Sequence, residues 1–168
     1  MRLAHPIALA AAIVAVIGPS TRAAQTAPPS HQHAELDVRG AAVMGFDQAK
    51  TVHHFRLHAD GGSIEVAVKD PADRADLDAI RGHLPHLAQL FQQGRFDLPM
   101  LVHDTTVPGT AELSRLASVV RYTYVETPAG GRVDIVSANA EALAALHRFL
   151  AFQIADHRTG DPPSITPR

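Results

Sequence analysis

Two stretches of this chain follow one plan, and that repetition restricts the fold more than any other feature. The first reads VHHFRLHADGGSIEVAVKDPADRADLDAIRGHLPHLAQLF and the second VVRYTYVETPAGGRVDIVSANAEALAALHRFLAFQIADH. Each has an alternating apolar–polar run, a double glycine, a second alternating run, and then apolar residues at helical spacing. Alternation with period two marks a strand with one buried face, and 3–4 spacing marks an amphipathic helix. Gly61-Gly62 matches Gly130-Gly131, and Ile64 and Val66 match Val133 and Ile135. The double glycines are expected to supply the positive φ of tight hairpins. The fold class that follows is α+β: duplicated ββα units forming a four-stranded antiparallel sheet with two helices packed on one face.

Residues such as Phe55, Leu57, Ile64, Val66, Val133 and Ile135 should line the helix-covered face. His54, Arg56, His58, Glu65, Lys69, Arg121, Thr123 and Asp134 should lie on the open one, which is polar and suits water or a partner surface. Leu77, Ile80, Leu84, Leu87 and Phe91 give the first helix its buried stripe, and Leu143, Leu146, Leu150 and Ile154 the second. Asp70-Pro71 reads as the start of the first helix, and Ser137 or Asn139 as the cap of the second. Residues 94–110 read as a long connection carrying Pro99 and Pro108, of the kind that is functional rather than idle.

The ends of the chain differ in character from its middle. Residues 1–23 carry Arg2, an apolar run from Ile7 to Ile17, and the small-x-small site Thr21-Arg22-Ala23, the layout of a secretory signal peptide. That run is too short for a membrane span, which needs about 20 residues. Residues 24–37 are expected to form a flexible leader, residues 38–160 a single α+β domain, and residues 161–168 a disordered tail. Export implies a periplasmic or secreted protein. The chain has no cysteine, so an oxidising compartment makes no demand on it.

Cleavage would remove Arg2 and Arg22 from the 15 Lys+Arg and none of the 17 Asp+Glu, taking the net charge from −2 to −4. A mildly acidic domain is a poor polyanion binder, so nucleic acid is not an expected partner. No G-x-S-x-G, P-loop or G-x-G-x-x-G motif occurs.

The unusual number is eleven histidines. His83 and His86 sit three apart on the first helix, within reach of one ion. Gly82 and Pro85 among them cost about 1 and about 3 kcal/mol relative to alanine, so the helix is expected to break or bend there. Alternation sends His53 toward the same helical layer. If His103 folds back onto that layer, His53, His83, His86 and His103 converge, with Asp104 as a fourth ligand or a partner behind the ligands. Such a set suits zinc or copper. His103-Asp104 also reads as an acid/base element, although adjacent side chains point apart. His157 reads as a helix C-terminal histidine. His31 and His33 offer only a loose flexible pair, and Met44 and Phe46 read as core residues.

The strings RGAAVMGFDQAKTVHHF, PMLVHDTTVPG and FLAFQIADHRTGD resemble a family of small exported bacterial proteins of unknown function, over roughly residues 38–161. The label aspartate carbamoyltransferase is often attached to that family automatically. The chain lacks the Ser-x-Arg-Thr-Arg loop and the His-Pro-x-Gln segment that such an activity needs. The resemblance therefore implies a fold family and not an activity. It points to Met44 to Gln48, His53, His54, His103, Asp104 and Asp156 to Asp161.

These residues lead to an exported protein that binds a transition metal or small ligand through clustered histidines, in a handling or sensing role. Two other readings stay open. One is a small periplasmic hydrolase or lyase with His103 or His157 as general base. The other is an interaction module whose open sheet face or edge strand forms a homodimer.

Overall fold

The computed structural model describes residues 31–167, with side chains from Glu35 onward. The expected signal peptide and leader residues 24–30 lie outside the described residues. Five helices and four strands follow in the order α1 (His31–Met44), β1 (Thr51–His58), β2 (Gly61–Val68), α2 (Arg74–Gln92), α3 (Asp97–His103), α4 (Thr110–Arg115), β3 (Val120–Thr127), β4 (Gly130–Ser137) and α5 (Ala140–His157). A 3₁₀ turn, Gln48–Lys50, joins α1 to β1.

The sheet is antiparallel throughout, with strand order β1-β2-β4-β3. The two units thus meet through their second strands. α2 packs mainly over β3 and β4, while α5 packs mainly over β1 and β2. Each helix therefore covers the other unit's hairpin, and the apolar residues of both units close one core. Ile80, Leu113, Val133, Ile135, Leu146 and Leu150 are fully buried within it.

The glycines act differently from expectation. The turns are made by Ala59-Asp60 and Pro128-Ala129, and both double glycines begin strands. Close approach of backbones explains them: a Cβ on Gly61 would fall 1.8 Å from the Ile135 carbonyl oxygen, and one on Gly130 would fall 2.0 Å from that of Val66. The two clashes are equivalent, one in each unit, at the central β2–β4 seam.

α2 starts at Arg74, capped by Asp73, whose side chain accepts from Asp76 N–H. Asp70 instead shapes the preceding turn, accepting from Ala72 N–H. The helix then runs unbroken through Gly82 and Pro85. Leu77, Ile80, Leu84 and Phe91 are each at most 2% exposed. At roughly 1.5–3 kcal/mol per buried side chain, their burial outweighs about 3 kcal/mol for the proline. Asn139 caps α5, accepting from Ala142 N–H.

Three segments read as irregular are structured. Residues 31–37 belong to α1. The connection 94–110 contains α3, with Pro99 in the first turn, where the missing N–H has no intrahelical partner to lose. Residues 161–167 lie along the outer edge of β1: Thr166 N–H donates to the Leu57 carbonyl, Ile165 bridges Leu57 in parallel, and the Asp161 carboxylate accepts from Phe55 N–H. His58, expected on the open face, is buried and donates from Nδ1 to the Thr166 carbonyl.

Candidate functional site

A cavity of about 60 Å³ opens between the sheet, α2, α5 and a roof made by α3 and the end of α1. Its wall is almost wholly apolar, with Phe46, Phe55, Leu84, Leu87, Val102 and Phe149 among its residues. Four imidazoles interrupt that wall, those of His53, His83, His103 and His157.

Each reaches the cavity for a local reason. His53 points to the helical layer through strand alternation, and it stacks on Phe46 with ring centroids 5.9 Å apart. His83 lies at the border of the α2 stripe, edge-on to Phe46 at 5.8 Å. His103 ends α3, which turns it inward. His157 ends α5 and stacks on His53 at 5.4 Å, with the His103 ring edge-on at 5.0 Å. Three of the rings thus form a chain, with His157 between His53 and His103, and His83 adjoins it through Phe46.

Burial governs the charge of three of them. Loss of hydration, followed by the neighbouring His83, holds His53 down to about 4. His83 is likewise pushed to about 4, by burial and then by His86. His157 is pushed to about 3, by burial and then by His53 and His103. All three are neutral imidazoles at neutral pH, the form in which a ring nitrogen can accept a hydrogen bond or bind a metal.

His103 is held differently. Its side chain is 1% exposed, its Nδ1 lies 2.5 Å from the Asp156 carboxylate, and its Nε2 lies 2.9 Å from the Gln153 amide oxygen. Two polar atoms at the cavity's edge have no protein partner: Nε2 of His53 and the amide nitrogen of Gln153. A buried donor without an acceptor costs about 1–3 kcal/mol.

The structure brings together three of the expected ligands, His53, His83 and His103. It does not bring His86 or Asp104 to the cavity. His86 is exposed on the outer side of α2. Asp104 is exposed and caps α3 in the left-handed region at φ 51°, so its side chain leaves in another direction. The partner of His103 is Asp156 of α5. Among the described residues, no three His, Asp or Glu side chains are grouped as a metal ion would require. Met44 lines the cavity, and its sulfur lies 4.0 Å from the Gln48 amide nitrogen.

The places of Asp156, Gln153 and His157 at this cavity were not anticipated, although Asp156 and His157 fall in the segment that the resemblance points to. One signal for two of them was present: Phe149, Gln153 and His157 recur every four residues, so a glutamine and a histidine share the stripe of a buried phenylalanine.

The open sheet face is internally compensated. Arg56 pairs with Glu65 at 2.9 Å, Arg132 with Asp134 at 2.9 Å, and His54 with Asp161 at 3.0 Å. Among the described residues, no helix is long and apolar enough to cross a membrane. No family model, no curated protein and no solved structure matches this chain.

Proposed function

We propose that this protein binds a small uncharged ligand, or the apolar end of a larger one, in the imidazole-lined cavity. One observation carries the reading: an apolar-walled cavity at whose edge His53 and Gln153 each leave a buried polar atom unpartnered. Apolar walls with a few convergent polar groups are the usual make-up of a ligand site. Size narrows the ligand. The cavity's 60 Å³ is under half the roughly 150 Å³ of an engineered cavity that takes up benzene. It encloses only a few non-hydrogen atoms.

The test is a chain-length series of primary alcohols, ethanol to hexanol, followed by methyl NMR of the cavity-lining leucines and valines. Affinity should rise about fourfold per methylene, from roughly 0.8 kcal/mol for each buried CH₂, and level off once the cavity is full. Shifts confined to surface methyls, with no dependence on chain length, would overturn the reading.

A metal-binding reading has one observation of its own in its favour: three imidazoles at one cavity are held neutral. Zinc or copper would then be bound by His53, His83 and His157 after the side chains draw together. Equilibrium dialysis against zinc, copper and nickel decides it. Stoichiometric uptake lost in His53→Ala supports the metal, and a protein that emerges metal-free rejects it.

A further inference from the structure

Among the described residues Gln153 is the one carboxamide lining the cavity, and its surroundings fix it. It is 4% exposed, on the face of α5 that packs against the sheet. Its oxygen is taken by His103 Nε2, and His103 is itself anchored at Nδ1 by the Asp156 carboxylate. The ring cannot swing away easily, because Phe152 and His157 meet it edge-on at 5.1 and 5.0 Å. The amide is therefore held at its oxygen, and its nitrogen, with two N–H donors, is buried without a partner. The rest of the wall is largely hydrocarbon and aromatic carbon, and no acceptor on it reaches the amide nitrogen.

We propose that Gln153 is the specificity-determining residue of this cavity, and that it receives the carbonyl oxygen of a small ketone, aldehyde, ester or amide. This rests on the cavity being a ligand site. The chemistry follows from what the amide lacks. A carbonyl oxygen accepts from Gln153 and needs no donor in return, while its alkyl substituents meet the apolar wall. A hydrocarbon of the same shape would fill the space but leave the N–H groups unpaired. A site built to hydrogen-bond one group discriminates against the analogue lacking it, because the site's own polar atoms are then stranded. About tenfold is the scale expected for one neutral hydrogen bond in such a place.

Two probes of matched shape isolate this effect: 2-butanone and 2-methyl-1-butene, which carries a methylene in place of the oxygen. Their hydration differs greatly, so the quantity to compare is the ratio of their dissociation constants in the native protein and in Gln153→Met. The substitution keeps length and apolar bulk. The ratio should shift by about tenfold against the ketone, with the alkene unchanged or bound more tightly. Butanone should also displace the side-chain N–H₂ signal of Gln153 in the native protein, a readout that needs no variant to fold. An unchanged ratio, or a Gln153 signal that butanone leaves in place while cavity methyls move, overturns the assignment and leaves the cavity reading standing. If neither probe moves any cavity signal, the cavity reading falls and this inference falls with it.

Discussion

Glycine behaves in opposite ways at two positions of this chain. Gly82 lies on the exposed side of α2, and a Cβ there would meet no atom within 4 Å. Nothing in the fold requires it, and it carries the entropic cost of glycine in a helix. Gly82→Ala should raise stability by about 0.5–1 kcal/mol, read as a higher urea midpoint at constant m. Gly130 is the contrary case, since its Cβ would come within 2.0 Å of a backbone oxygen of β2. Gly130→Ala forces the β2–β4 seam apart and should cost about 1–3 kcal/mol in the same measurement. If both variants move the midpoint the same way, the close-approach explanation of the double glycines is wrong.

Among the elements, those with strong periodicity were legible and those defined by tertiary company were not. The four strands and the two long helices follow from alternation and from the Leu77–Phe91 and Leu143–Ile154 stripes, because a half-buried element must repeat with its own geometry. α3 was hidden because Pro99 reads as a breaker until its place in the first turn is known. The edge segment 161–167 was hidden because Pro162 and Pro163 suggest disorder, and its order comes from distant partners. For the site, His53 and His83 were legible from the faces they occupy. Asp104, expected as a fourth ligand or a partner behind the ligands, caps α3 instead, and the carboxylate at His103 comes from another element. Asp156 is 53 residues from His103. The β1 edge carries its own test. Asp161 gives one carboxylate oxygen to Phe55 N–H and the other to His54, each at 3.0 Å. Hydrogen bonds to a charged group contribute about 1.5–3 kcal/mol. Asp161→Ala should cost that order of stability, and amide exchange at Phe55 should quicken well beyond that of Ile64, its partner on the sheltered side. Equal protection of Phe55 in both proteins would show that the tail does not guard this edge.

At the scale of the whole molecule, the exchange of helices between units makes the fold one cooperative body. Each helix lies mainly over the other unit's hairpin, and the cavity is lined from both units, so it exists only when both halves are assembled. That places the cavity's proton chemistry inside the global stability. His53, His83 and His157 are held at about 4, about 4 and about 3 in the folded chain, against about 6.5 when unfolded. A depressed folded value means that the unfolded chain binds protons first as pH falls. The contribution of these groups to stability is therefore intact above pH 6.5. It is lost progressively as pH falls from there toward 4, and the loss levels off below the folded values. Each proton taken up on unfolding contributes about 1.4 kcal/mol per pH unit, so three approach about 4 kcal/mol per unit near pH 5. Against a typical stability of about 5–15 kcal/mol, that is enough to unfold the domain within a narrow acid range. Urea titrations at pH 7, 5.5 and 4.5 should show a steep fall in midpoint, with about two to three protons taken up on unfolding at pH 5. His157→Phe keeps a ring against His53 and Phe55 but removes one titrating group, and it should reduce the slope by about a third. A midpoint that stays level from pH 7 to 4.5 would mean that these rings are hydrated in the folded protein, and the apolar character of the cavity would then have to be given up.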